Sequence, residues 1–328
     1  MAAYQKKAVF IGAGPSAVGQ AAFASHTLGW KVMFYAHPDH RIRFNKLAAA
    51  GKPNFTTDPE EAVAFADIIS IHIRFDGLED IFRHLKQFDM TNKIMILNNG
   101  FFGARICKHI MGDKAPTCIL ETSTSPVAAW PNNDDTGLEL ADVKRNLIIG
   151  LLERMPDNAT KARIADLYGR GLKWVDSDVV GAFSIDNPLI YTVAVIFGAA
   201  AIGKRLSNFH LYKDAYCRPA VELRELLEDE VISLAKTAFG IDLTRQYKRM
   251  NEFYDFEFQN FEDFARHSPV HNRRTLLPTT FAHRFCQEDV SALLFFRKLA
   301  NVFGTKTETM DWVQMSKQSL ASQQNLES

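Results

Sequence analysis

The strongest constraint on the fold is a short apolar run, Lys7-Ala-Val-Phe-Ile11, that feeds directly into Gly12-Ala-Gly14-Pro-Ser-Ala17-Val-Gly19. A strand opening into glycines at this spacing, with small residues Ala21, Ala22 and Ala24 after it, has the pattern of the first βαβ unit of a dinucleotide-binding sheet. Gly12 permits the tight turn out of the strand, Gly14 lets the backbone approach a pyrophosphate, and Ala17 keeps the helix close to the sheet. The pyrophosphate would rest on free N–H groups at the helix N-terminus. A glycine-rich turn that binds nothing is the alternative, and a second apolar run at βαβ spacing, Lys31-Val-Met-Phe-Tyr35, weighs against it.

The end of that second strand bears on the cofactor, because an acid there accepts hydrogen bonds from the ribose hydroxyls of NAD. Here the position holds Ala36, followed by His37, Asp39, Arg41 and Arg43. The local charge is mostly basic and suits the extra phosphate of NADP, so NADP is expected ahead of NAD, with His37 and Arg41 near it.

Further strands are expected over 66–71, 93–97, 117–121, 146–150 and 172–175, with helices between several of them, including 159–168. That alternation predicts an α/β Rossmann domain with a doubly wound parallel sheet over residues 1–180. Ligands in such sheets lie at the carboxyl ends of strands, so Asn98-Asn99-Gly100 and the Ser123-Thr124-Ser125 loop are candidates to line the nicotinamide side. Either loop could equally be an ordinary turn. Beyond the boundary the period becomes helical: an all-helical domain is expected over 181–315, with one amphipathic helix starting at Pro219 and another over Ser291–Ala300. Residues 316–328 are polar and are expected to fray.

Composition excludes several classes. Thirty-eight basic and 38 acidic side chains give zero formal net charge, which argues against nucleic acid or an anionic membrane as partner. No membrane span and no signal-peptide pattern are expected, which predicts a cytoplasmic protein. Cys107, Cys118, Cys217 and Cys286 lack C-x-x-C spacing and are expected to be buried thiols, not disulfides or zinc ligands. No histidine spacing points to a metal.

The helical half carries two distinctive segments, Ile185-Asp-Asn187-Pro188-Leu-Ile-Tyr191-Thr-Val193 and Ala282-His283-Arg284-Phe285-Cys286-Gln287-Glu288-Asp289-Val290. With Leu211-Tyr212-Lys-Asp214 between them and Lys298–Thr305 and Met310-Asp311 after them, this order resembles the opine dehydrogenase family; His283 to Asp289 matches its H-R-[YF]-x-x-E-D stretch. The resemblance implies NAD(P)H-dependent condensation of an α-keto acid with the amine of an amino acid, through reduction of an imine. It further implies a catalytic aspartate at Asp289 and a catalytic histidine in an N-P-x-x-H-P-like segment.

At the histidine position this chain has Tyr191, and Thr192 replaces the next proline. A phenol of ordinary pKa, about 10, is a slower acid at neutral pH unless its site shifts it. Three readings stay open: Tyr191 donates the proton with Asp289 orienting it; Tyr191 shapes the pocket while His210 acts as acid; or Tyr191 is a core residue. Asp289 could alternatively cap the helix expected from Ser291. Asn187, Tyr212 and Arg284 are candidate substrate contacts, Arg284 as a forked carboxylate clamp with a surface ion pair as its alternative. A carbonyl reductase of the ketopantoate reductase type shares the Asn99-Gly100 loop but relies on a lysine opening the second domain, and none lies between Lys173 and Lys204. A non-catalytic dinucleotide-binding protein is the third possibility. A homodimer is the expected assembly.

Overall fold

The computed structural model describes residues 5–37, 54–131, 138–169, 171–272, 276–281 and 283–324. The chain forms two compact units, Met1–Ile185 and Asp186–Ser328.

The first unit is built on an eight-stranded sheet in the order β10-β9-β6-β5-β4-β1-β2-β3. Its strands are β1 (Lys7–Ile11), β2 (Lys31–Tyr35), β3 (Asn54–Thr56), β4 (Ile68–Ile71), β5 (Ile94–Asn98), β6 (Cys118–Thr122), β9 (Leu147–Leu151) and β10 (Leu172–Val175); β7 (Val127–Pro131) and β8 (Leu138–Val143) form a separate hairpin. Helices α1 (Pro15–Leu28), α2 (Pro59–Phe65), α3 (Leu78–Leu85), α4 (Gly103–Met111), α5 (Asn158–Tyr168) and α6 (Asp178–Phe183) complete the unit.

Strands buried on both faces read as continuous apolar runs, and the period of two divides each run between two cores. Ala8 and Phe10 of β1 join Phe34, Ile68 and Ile96 in a cluster with Ala17, Val18 and Ala21 of α1 and Ile164 and Leu167 of α5. Val9 and Ile11 face the other way, with Ile69, Ile71 and Met95, onto Leu78, Phe82 and Leu85 of α3 and Cys107 of α4. The chain winds outward from β1 to β2 and β3, then returns to β4 on the other side of β1. That reversal is the topological switch point, and Gly12 and His72 stand at its carboxyl edge.

The expected parallel sheet is present with one refinement, and one reading of the apolar runs is corrected. The sheet is mostly parallel, but β9 pairs antiparallel with β6. A parallel return needs a crossover, whereas the chain leaves β6 through the β7–β8 hairpin and comes back from the same edge. A membrane-length apolar stretch does exist: Asp178–Phe197 passes by length and composition, but 78% of its apolar window is buried, and it breaks at Ser184 and Asp186 into α6 and a second helix. The short helix α6, which a boundary at 180 would cut, lies wholly in the first unit.

The second unit contains α7 (Asn187–Phe197), α8 (Ala199–Gly203), α9 (Arg218–Phe239), α10 (Gln246–Tyr254), α11 (Phe261–His267), α12 (Pro269–Asn272), α13 (Arg284–Val302) and α14 (Glu308–Gln324). Helix α9 ends at Gly240, which adopts φ 69° and so closes the last turn with the left-handed residue that glycine tolerates best. Its buried face is not wholly apolar: Leu226 is 55% exposed, while Arg224 and Glu228 are buried beside Val221, Leu227 and Val231. The buried pair closes at 2.6 Å within one turn, and Arg224 also bonds Gln246 and lies 4.2 Å over the Phe261 ring. Burial alone would raise the Glu228 carboxyl, yet Arg224 pulls it down to about 2. Helix α14 continues to Gln324, so the segment expected to fray is helical over residues 316–324. Among the cysteines, Cys107 and Cys286 are buried and Cys118 is half-buried, but Cys217 is exposed where it caps α9.

Candidate active site

Gly12 and Gly14 serve different ends. Gly12 has φ +121°, and a Cβ there would stand 2.6 Å from the His72 carbonyl oxygen, so both backbone and space demand glycine. Its N–H donates to Tyr35 O at 3.1 Å, tying the turn to β2. Gly14 caps α1 in an extended conformation (φ −85°, ψ 171°) with no side-chain cap, and a Cβ there would meet nothing within 4 Å. Ala17 is fully buried against the sheet. Open space before an uncapped helix end, beside a turn that only glycine can make, fits a dinucleotide pyrophosphate. Gly19 instead admits the β7–β8 hairpin, since a Cβ there would lie 2.5 Å from Ala129 Cβ.

At the end of β2, Ala36 is buried and His37 is exposed. Arg41 and its neighbour Arg43 lie outside the described residues.

Beneath the glycine turn runs a polar network absent from the sequence reading. His72 Nδ1 lies 3.0 Å from Ser16 Oγ, and Ser16 Oγ donates to Ser125 Oγ at 2.8 Å, which donates to Val127 O. On its other side His72 Nε2 lies 3.0 Å from Ser70 Oγ and accepts from Asn98 Nδ2 at 3.1 Å. These donors and acceptors assign a neutral imidazole protonated on Nδ1. Burial agrees, pushing His72 down to about 3. The network hooks the first turn of α1 to β4 and to the hairpin. It also redirects Asn98, whose amide donates to Ser70 Oγ and Ile71 O and accepts from Tyr168 OH at 2.8 Å. Asn98 is 5% exposed and spends its side chain on the sheet, a structural tie in place of the expected contact with a nicotinamide. Thr124 contributes its carbonyl to Thr122 Oγ1, while Ser125 reaches Ser16. A histidine one residue past the end of β4, at the switch-point edge, was the signal available for His72.

The loop after β5 is strained. Asn99, Phe101 and Phe102 all have positive φ (59°, 48° and 64°), a rare state for residues with side chains. Gly100 packs on Glu121 of β6, which is 0% exposed and accepts the Ala104 N–H at 3.2 Å. Burial raises the Glu121 carboxyl to about 8 against the pull of the Ala104, Phe102 and Gly103 amides, and nearby Asp178 adds to the rise. Asp178 is held by Arg105 at 2.7 and 3.0 Å.

In the second unit, α7 carries Asn187 and Tyr191 and packs on α13. Asp186 caps α7 by position alone, because its carboxylate is committed to the buried Arg249. Tyr191 stacks on Phe285 with ring centroids 3.7 Å apart and an interplanar angle of 13°. His283 begins α13: its Nδ1 accepts the Phe285 N–H at 3.3 Å, and its ring meets Phe285 edge-on. Helix α13 therefore starts seven residues before Ser291, so Asp289 is inside it and not its cap. Asp289 is 4% exposed and stands one turn after Phe285 on the same helix face. The side chain of Arg284 is outside the described set.

Tyr212 is buried, and Tyr191, Tyr216, Tyr254 and Asp186 all act on it electrostatically; burial first, then Tyr191, raises its phenol well above the usual value. Its ring meets His271 at 5.1 Å, and His271 Nδ1 lies 2.7 Å from Ser268 Oγ. His210 pairs through its backbone with Leu276 and donates its backbone N–H to the Asp214 carboxylate, while its imidazole Nδ1 is buried without a hydrogen-bond partner. Among the described residues no group of three metal-ligating side chains converges.

Residues 174–320 match the family described as NAD/NADP octopine/nopaline dehydrogenase, alpha-helical domain. Vitopine synthase of Allorhizobium ampelinum is 22% identical, with 93% of this chain and 88% of the relative aligned. An octopine dehydrogenase solved with NADH and L-arginine superposes with a TM-score of 0.73 at 17% identity, covering 96% of this chain and 89% of the other. Yersinopine dehydrogenase bound to NADP+ reaches 0.73 at 11% identity, covering 96% and 91%. The glycine turn lies in one unit, and the match to the octopine/nopaline dehydrogenase helical domain covers residues 174–320, most of them in the other.

Proposed function

We propose that the chain is an NAD(P)H-dependent oxidoreductase of the opine dehydrogenase type, joining an α-keto acid to the amine of an amino acid by reducing the imine between them. The observation that carries this reading is the uncapped, open helix end at Gly14, in a chain whose second unit is the family's helical domain.

Gly12, Gly14 and Ala17 would hold the dinucleotide pyrophosphate, with Asn99 and Gly100 toward its reacting end; the reduced nicotinamide supplies the hydride that the imine carbon accepts. The chain's own residues manage protons. The amine attacks the keto carbon, and the resulting carbinolamine loses its oxygen as water only if that oxygen is protonated. Tyr191 is assigned that proton, its ring held flat by Phe285. Asp289, one turn along α13, orients the phenol and stabilises positive charge on the nitrogen. Asn187, Tyr212 and the Arg284 fork are assigned to the substrate carboxylates. NADP is preferred because Ala36 offers no acid to a ribose hydroxyl and Arg41 follows. His210 as the acid, with Tyr191 shaping the pocket, is the alternative assignment, and its buried, unpartnered Nδ1 keeps it in view. The protein is read as cytoplasmic and homodimeric, the latter on the general prevalence of two-fold dimers.

The test is oxidation of NADPH and NADH with keto acids alone, amino acids alone and pairs. Turnover that requires both partners supports imine reduction. Turnover with a keto acid alone favours a carbonyl reductase, and binding without turnover favours a sensor.

A further inference from the structure

The three left-handed residues of the β5–α4 loop surround one buried acid. Asn99, Phe101 and Phe102 each hold a positive φ, and strain of this kind persists only where the surroundings impose it. Aromatic packing supplies part of the constraint: Phe101 meets Phe75 at 5.4 Å and Phe102 meets Phe183 edge-on at 5.8 Å. Packing of side chains does not explain why the backbone turns inward at Gly100. There a Cβ would come within 2.6 Å of Glu121 Cγ and 2.8 Å of Glu121 Cδ, so the main chain lies directly on this carboxyl group. Gly181 of α6 closes over the same residue from the other side, its Cβ position 3.1 Å from the Glu121 carbonyl oxygen. One carboxyl oxygen accepts the Ala104 N–H in the first turn of α4, and the other is buried with no hydrogen-bond partner.

We propose that Glu121 is a positioning residue for the cofactor-side loop: by accepting the Ala104 N–H at the start of α4, its carboxyl holds Asn99 and Gly100 in the shape that receives the reacting end of the dinucleotide. Glu121 touches no substrate. It acts through the loop, as the acceptor around which the left-handed backbone closes. An acceptor is needed because the N–H groups opening a helix have no partner within it, and this end of α4 has no side-chain cap. The inference rests on the reading of the chain as a dinucleotide enzyme, since a loop leaving the carboxyl end of a central strand is where such a ligand extends.

The test compares Glu121→Met, which keeps volume and removes the acceptors, with Glu121→Gln, which keeps one acceptor. Amide hydrogen exchange of residues 99–104 is read in the free protein, and NADPH and NADH affinities, kcat and KM are read separately. Glu121→Met is expected to speed exchange in the loop and weaken dinucleotide binding by about tenfold or more, with α1 amides unchanged and kcat falling more than the keto acid KM rises. Glu121→Gln is expected to recover most of both. Gly100→Ala, which drives a Cβ into an intact Glu121, is a second route to the same loosened loop should Glu121→Met fold poorly. Parental exchange and parental dinucleotide affinity in Glu121→Met or Gly100→Ala overturn the proposal. Faster loop exchange with unchanged affinity also overturns it and leaves the dehydrogenase reading intact. A parent protein that binds neither dinucleotide overturns both.

Discussion

Replacing Gly12 and Gly14 by alanine separately should divide stability from cofactor binding. At Gly12 the added Cβ meets the His72 carbonyl at 2.6 Å with φ at +121°. An L-residue forced into such a backbone costs about 1–3 kcal/mol, and overpacking against main chain that cannot rotate away adds about 1–3 kcal/mol. The sum, roughly 2–6 kcal/mol, is a large part of the 5–15 kcal/mol typical of a domain. For a unit of this size it corresponds to a fall in melting temperature of roughly 5–15 °C. At Gly14 the same methyl enters empty space on an extended backbone, so the free protein should melt with the parent or gain about 0.4–1 kcal/mol through the unfolded chain. Dinucleotide affinity should nevertheless fall in both variants, and further in Gly14→Val, because the space at Gly14 is where the pyrophosphate would come close. Thermal melting by circular dichroism and titration of NADPH fluorescence read the two effects independently. Unchanged melting in Gly12→Ala would refute the local geometry, and parental NADPH affinity in Gly14→Val would show that the opening is not the ligand's path.

Tyr191→Phe keeps the ring that stacks on Phe285 and removes only the hydroxyl, so turnover should fall by about 10²–10⁴ while NADPH affinity holds; Asp289→Asn should do the same, and the double variant should lose less than the two single losses combined, because residues acting as a unit cannot be lost twice. Full activity in Tyr191→Phe would exclude the phenol as proton donor. Arg249→Met leaves the Asp186 carboxylate buried at the start of α7 without its partner, and urea titration should register a loss of about 3–5 kcal/mol. The Glu121 carboxyl is raised from 4.5 to about 8, so the folded state holds its proton where the unfolded chain has lost it. Its contribution is therefore complete below pH 4.5 and declines until about pH 8, and the stability of the parent relative to Glu121→Gln should fall across that window by several kcal/mol. A difference that is flat between pH 5 and 8 would contradict a neutral buried acid.

Whatever depends on neighbours along the chain is legible in the order of the amino acids. The turn at Gly12, the apolar runs of β1, β2, β4, β5 and β6, and the left-handed stop at Gly240 are local, because strand period, helix period and glycine's backbone freedom act over a few residues. The family resemblance was legible for the same reason, since His283 to Asp289 is one contiguous stretch. The direction of β9 is a property of the folded chain, because pairing across β6 depends on where the hairpin delivers it. Folding also sets the start of α13, where His283 supplies a cap that its residue type rarely signals, and with it moves Asp289 from a helix end to a helix face. The buried Arg224–Glu228 and Asp186–Arg249 pairs read in sequence as solvated charges, and their partners are up to 63 residues away. His72 and Glu121 look like ordinary strand-end polar residues until β1, β5 and α4 are folded over them; then burial shifts one imidazole down and one carboxyl up. Proton affinity in a protein is set by what surrounds a group in space, and a sequence specifies that only through the completed fold.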